Sequence, residues 1–139
     1  MPELTVLPHH AGLTVRDLDA ARDWYAAAFG FHTALAFELP GGVRGAMLQA
    51  PGGARVELFG VEGSAEGLAW ADPVAALRRR GFGHVALEVS DLDEAFAAAV
   101  QAGGAAVWDP RQAPEPGRRM AFVHDPEGNL VELIGPAGA

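Results

Sequence analysis

Apolar and polar residues alternate from His9 to Val15, with Ala11, Leu13 and Val15 on one side and His10, Gly12 and Thr14 on the other. That is the period of a half-buried strand. Asp17 or Asp19 can then cap a helix over roughly residues 20–29, which Gly30 closes. Three strands are predicted next, at 32–38, 44–49 and 55–61, separated by Pro40-Gly41-Gly42 and Pro51-Gly52-Gly53. The order repeats further on, with a strand at 84–89, a helix over about 92–102 ended by Gly103-Gly104, and strands near 105–108, 119–124 and 130–134. Between the two runs, Asp72-Pro73 opens a connecting helix over about 72–80 that Gly81 stops, with Arg78 to Arg80 at its negative end. The stretch 109–117 holds Pro110, Pro114 and Pro116 and is predicted to be irregular, the best candidate for a mobile lid.

The likeness of the two runs extends to residue identities. With His10 laid over His84, an offset of 74, seven of the twelve positions 10–21 and 84–95 are identical. Residues 54–60 overlie 129–135 at an offset of 75, and the His-to-Glu spacing is 47 in the first half and 48 in the second. The expectation is an α+β fold: one domain over residues 1–139 built from two βαβββ modules in tandem, about 7–61 and 82–135, forming a curved mixed sheet around a cleft.

Strand alternation assigns faces. Leu13 and Val15, like Val85, Leu87 and Val89, must face the helix of their own module, so His10 and His84 lie on the helix-free face. In the last strand of each module Val56 and Leu58 oppose Glu57, and Val131 and Leu133 oppose Glu132. A carboxylate among apolar neighbours needs a partner that offsets its desolvation, and a metal ion or a histidine would serve. If the sheets curve toward each other across the pseudo-twofold, His10, Glu57, His84 and Glu132 converge. Two imidazoles and two carboxylates bring a formal charge of −2, and their mixed N and O donors suit one divalent ion, Zn, Ni, Co, Mn or Fe. Ordinary hydrogen bonding is the default for a lone strand histidine. Duplication of the His and the Glu together reverses that default.

Composition narrows the chemistry. Of 139 residues half are hydrophobic and a fifth charged, as in globular chains, and 10 Lys and Arg against 18 Asp and Glu give a net charge of −8. That balance repels phosphate backbones, so no nucleic acid partner is expected. There is no cysteine, which removes thiolate ligands and nucleophiles. No leader and no long apolar run is evident, so no membrane span and a cytoplasmic location are expected.

The runs 10–18 with Trp24-Tyr25 and Phe29-Gly30-Phe31, Gly83-His84-Val85-Ala86-Leu87-Glu88-Val89, and 122–134, which reads FVHDPEGNLVELI, make the chain resemble the vicinal oxygen chelate superfamily along residues 9–135. That superfamily includes glyoxalase I, methylmalonyl-CoA epimerase, extradiol dioxygenases, and fosfomycin and bleomycin resistance proteins. The resemblance implies paired βαβββ modules around a metal held by one ligand from the first and last strand of each, positions that fall on His10, Glu57, His84 and Glu132. It further implies a homodimer, with the site formed within one chain or between exchanged modules, and a small-molecule substrate with vicinal oxygens. The implied activity is that of a lyase or an epimerase/isomerase working through a metal-stabilised enediolate, with Glu132 or Glu57 as the base. An Fe(II) extradiol-type dioxygenase and a non-catalytic drug-binding protein are the alternatives. The first would have four ligands where two His and one carboxylate are usual. The second would need an aromatic cleft that Phe37, Phe59, Trp70 and Trp108 could line. Outside the four, His9 is expected to point away from His10, His32 to be solvated, and His124 to stabilise a turn. Glu88 is a lesser candidate for orienting substrate, and Arg55 and Arg119 for holding an anionic group.

Overall fold

The computed structural model describes residues 3–138. The first module runs β1 (Ala11–Val15), α1 (Leu18–Phe29), β2 (His32–Leu39), β3 (Val43–Gln49) and β4 (Arg55–Gly60). A short α2 (Pro73–Ala76) follows, and then β5 (Val85–Glu88), α3 (Leu92–Gln101), β6 (Ala105–Gln112), β7 (Arg118–His124) and β8 (Leu130–Pro136). The strands form two four-stranded sheets, ordered β1-β4-β3-β2 and β5-β8-β7-β6. In each, the first strand runs parallel to the last and the other pairs are antiparallel. The expected α+β architecture is therefore present, as two mixed sheets.

Asp17, not Asp19, caps α1 by accepting from Ala20 N, and Gly30 ends it in the left-handed conformation at φ 73°. Asp91 caps α3 in the same way through Glu94 N. The helices pack on each other across the pseudo-twofold. Trp24 and Tyr25 of α1 join Leu48 and Leu58 of the first sheet and Leu87 and Leu133 of the second in one core cluster. Gly104 is required where α3 turns back into β6, because a Cβ there would lie 2.8 Å from the His124 carbonyl and 2.9 Å from that of Ala99. No described helix is long and apolar enough to cross a membrane.

Two local expectations are corrected. The connecting helix, expected over 72–80, ends at Ala76, and Arg78 to Arg80 lie in turns and bends beyond it. Only Ala76 is buried there, so one turn nucleated by Asp72 lacks the apolar face that would carry it further. The stretch 109–117 is not wholly irregular, because β6 continues through Pro110 to Gln112. Its register slips by one residue between Trp108, opposite Phe122, and Arg111, opposite Met120. Proline is tolerated at such a bulge on an edge strand, where no ladder partner needs its missing N–H.

Candidate functional site

His10 immediately precedes β1, and Glu57 sits opposite Gly12 in β4. Its neighbours Val56 and Leu58 are fully buried in the core, which turns the carboxylate to the other face of the sheet. There His10 Nε2 lies 3.3 Å from Glu57 Oε1. The second module repeats this placement. His84 precedes β5, Glu132 sits opposite Ala86, and His84 Nε2 lies 2.7 Å from Glu132 Oε2. The glutamate side chains are 19 % and 15 % exposed, the histidines about a third. The imidazole nitrogens and carboxylate oxygens that meet in each pair are the lone-pair donors that divalent ions take.

The pairs stay apart within one chain. Both histidines line a cavity of about 570 Å³ with Leu13, Trp70, Val85 and Leu130. Yet among the described residues no three His, Asp or Glu side chains gather where a single ion could be held. All four side chains do not gather at one point within a single chain; each module presents one His–Glu pair.

Each pair has its own support. His9 does not point away from His10: their Nδ1 atoms are 2.8 Å apart and the rings meet edge to face. One of the two nitrogens must carry the proton, and the contact leaves His10 Nε2 to Glu57. His84 has the ring of Phe122 beside it instead, centroids 5.4 Å apart, and Trp108 stacks edgewise on that ring. Alternation gave no warning of the His9 contact, which arises because the chain is not yet in a strand at that point.

Of the other candidates, Glu88, Arg119 and His124 are engaged structurally. Glu88 pairs with Arg118, and Arg119 makes two hydrogen bonds to Asp93. His124 Nε2 meets the carbonyl of Trp70 at 2.7 Å, so it tethers the segment between the modules in addition to ending β7. His32 is exposed. Phe37 and Phe59 meet edgewise and are half-buried, as are Trp70 and Trp108.

The turn after β7, legible as turn chemistry, also joins the modules. Asp125 is buried and accepts from Glu127 N, Asn129 N and Asn129 Nδ2, and from the hydroxyl of Tyr25 at 3.1 Å. Burial, then the charge and the hydrogen bond of Asp125, hold the Tyr25 hydroxyl well above its ordinary pKa. Glu127 reaches back to accept from Arg16 N and Asp17 N at the start of α1.

Residues 7–133 match the family model of the Glyoxalase/Bleomycin resistance protein/Dioxygenase superfamily. No curated protein matches the chain. Among solved structures, a glyoxalase family protein from Bacillus cereus superposes with a TM-score of 0.77 at 22 % identity, covering 99 % of each chain. TioX from Micromonospora sp. ML1 is 31 % identical, with a TM-score of 0.63 over 94 % of this chain and 96 % of its own. A glyoxalase I variant from Zea mays gives 0.71 at 23 % identity, over 89 % of this chain and 44 % of that one.

Proposed function

The chain belongs to the glyoxalase/bleomycin resistance protein/dioxygenase superfamily, and on that footing we propose that it is a divalent-metal enzyme, a lyase or isomerase acting on a small carbonyl compound with adjacent oxygens. The observation that carries this reading is the doubled His–Glu pair, at equivalent strand positions in both modules. His10, Glu57, His84 and Glu132 would hold the ion, which when bound polarises a substrate carbonyl. The two carboxylates are the chain's own bases. Glu132, the less exposed, is assigned removal of the proton from the carbon beside the carbonyl. Its imidazole neighbour His84 orients it, and the apolar side chains of Leu13, Val85 and Leu130 limit water in the cavity.

Since one chain offers two half-sets, the proposed centre forms between two copies, module one of each facing module two of the other. The surface suits such pairing. Leu4, Val6 and Leu7 before β1, and Leu68, Leu77 and Phe82 between the modules, are all more than two-thirds exposed. Large apolar side chains left in water together mark an association surface.

Complementation tests both parts. His10→Ala and His84→Ala chains each break every site in their own homodimer, whereas a mixed dimer regains one intact site. Metal-free protein is titrated with Zn, Ni, Co, Mn or Fe, and turnover of α-ketoaldehyde hemithioacetals or epimerisation of acyl thioesters is followed. The expected result is one ion per chain, loss of ion and turnover in each variant, and partial recovery on mixing. Wild-type protein that holds no ion, or variants indistinguishable from it, would overturn the proposal. Tight binding of a planar drug with no metal response would favour sequestration.

A further inference from the structure

Residues 62–72 form a strap between the modules, anchored at both ends. Val61 N bonds to the Val15 carbonyl at the end of β1, and the Trp70 carbonyl is held by His124 of β7. Beneath the strap a second cavity, of about 410 Å³, is lined by Thr14, Arg16, Ser64, Glu66 and Asn129 among others. It shares Leu68, Gly128 and Asn129 with the cavity that holds the two histidines, so the two adjoin along β1. The first is walled mainly by apolar side chains, and the second offers hydroxyls and one cation.

Among the described residues Arg16, Arg55, Arg78, Arg79 and Arg80 meet no carboxylate, and of these Arg16 is the one on the wall of this cavity. Arg22, Arg44, Arg118 and Arg119 meet carboxylates, and Arg111 covers the Trp108 ring. The guanidinium of Arg16 has no carboxylate within ion-pair distance among the described residues. Its backbone is nevertheless fixed, because Glu127 accepts from its N–H at 2.7 Å. The same bond commits the Glu127 carboxylate to the start of α1, which leaves Glu66 as the cavity's one carboxylate free of any hydrogen bond or ion pair. An unpaired guanidinium on a fixed stretch of backbone, with hydroxyls of Thr14 and Ser64 on the same cavity wall, is a donor set for a planar or tetrahedral oxyanion.

We infer that the cavity under the strap is a subsite for an anionic group, carboxylate or phosphate, at the far end of an elongated substrate, with Arg16 as the specificity-determining residue. This rests on the proposed function only for the word substrate; the anion subsite itself needs no metal. Glu66 disfavours a doubly charged group and so limits the occupant's charge.

The test is an amide and arginine Nε–H NMR titration of metal-free protein with succinate, inorganic phosphate and the neutral analogue succinamide. Saturable shifts are expected at Thr14, Arg16 and Ser64 with the two anions and not with succinamide. Arg16→Gln should weaken the response at least tenfold, Arg16→Lys should restore part of it, and Glu66→Gln should strengthen it. The triple variant Arg78→Gln, Arg79→Gln, Arg80→Gln should leave it unchanged, and the tighter of the two anions identifies the source of the charge. Absence of shifts at these residues, equal shifts with succinamide, or a response insensitive to Arg16→Gln overturns the subsite. Because no ion or turnover enters the readout, that failure is separate from any failure of the metal centre.

Discussion

Tyr25 in α1 and Ala99 in α3 are equivalent under the repeat of 74, yet Tyr25 is the largest fully buried side chain and Ala99 among the smallest. The acceptor divides the same way. Asp125 takes the Tyr25 hydroxyl, while its counterpart under the offset of 75 is Ala50. Trp24, whose counterpart is Ala98, donates its Nε1–H to the Ala99 carbonyl. Two copies of one bulky helix could not approach as α1 and α3 do, because large side chains would collide at the axis. The duplicated modules have diverged into a large-and-polar contact on one side of the axis and a small one on the other. The His–Glu pairs have not diverged at all. Packing is free to become complementary between modules, whereas the shared ligand set proposed above would require the same donors from both.

The largest effect that would test this division is on stability. Tyr25→Ala removes the ring from the core and deprives Asp125 of one of its four donors, at a cost of about 3–5 kcal/mol. Ala99→Gly at the equivalent position should cost only about 1 kcal/mol, the helix-propensity difference. Urea unfolding measures both, and similar losses would mean that the modules share the core evenly. Tyr25 also sets a pH dependence. Its folded-state pKa is raised above 10.0, so the unfolded chain releases this proton first, and the stability it contributes is complete below pH 10 and lost as pH rises beyond it. Tyr25→Phe should flatten that alkaline decline, since nothing then ionises on unfolding.

At the site the asymmetry is smaller. His10 leans on His9, whereas His84 has Phe122 beside it. If the four residues hold an ion, His9→Ala should weaken it by about 10–100-fold, the range for a residue that orients a ligand. In metal-free protein the His84 ring resonances should stay where they are while those of His10 move. A shift of both rings there would show the pairs already coupled before any ion binds.

Much of this was legible in the sequence because it depends on local periodicity. The strand–helix–strand order, the Asp caps and the closing glycines follow from neighbours within four residues of one another. The placement of Glu57 and Glu132 beside His10 and His84 followed from alternation and the repeat. What could not be read depends on contacts distant along the chain. The Tyr25–Asp125 bond spans 100 residues and the Glu127 bonds to Arg16 and Asp17 span 111 and 110. The Asp72-Pro73 start and the Gly81 stop likewise predicted a helix through Arg80, yet only tertiary burial decides how far such a turn extends, and Leu77 finds none. Whether the four residues meet within one chain or between exchanged modules of two was open in the sequence, because alternation cannot choose between the axis within a chain and one relating two chains.

The smallest effect concerns the caps, which both modules kept. Asp17 and Asp91 each accept the N–H three residues on at 3.0 Å, so replacing either by Ala should cost about 1 kcal/mol. The two losses should not be identical. The start of α1 also receives the Glu127 carboxylate from the second module, whereas the corresponding residue of the first module's turn is Gly52 and has none to offer α3. A carboxylate at a helix N-terminus stabilises it by about 0.3–1 kcal/mol. Each first turn has its own, Asp19 in α1 and Asp93 and Glu94 in α3, but Glu127 alone bonds to backbone N–H groups there, so α1 retains a hydrogen-bonded carboxylate when Asp17 is lost and α3 does not when Asp91 is lost. Asp17→Ala is therefore expected to be the milder substitution by a few tenths of a kcal/mol. Combining it with Glu127→Gln should cost more than the two separate losses added together, because each change removes what softened the other. Strict additivity in that double-mutant cycle would mean that Glu127 fixes the loop before α1 without sharing in the cap.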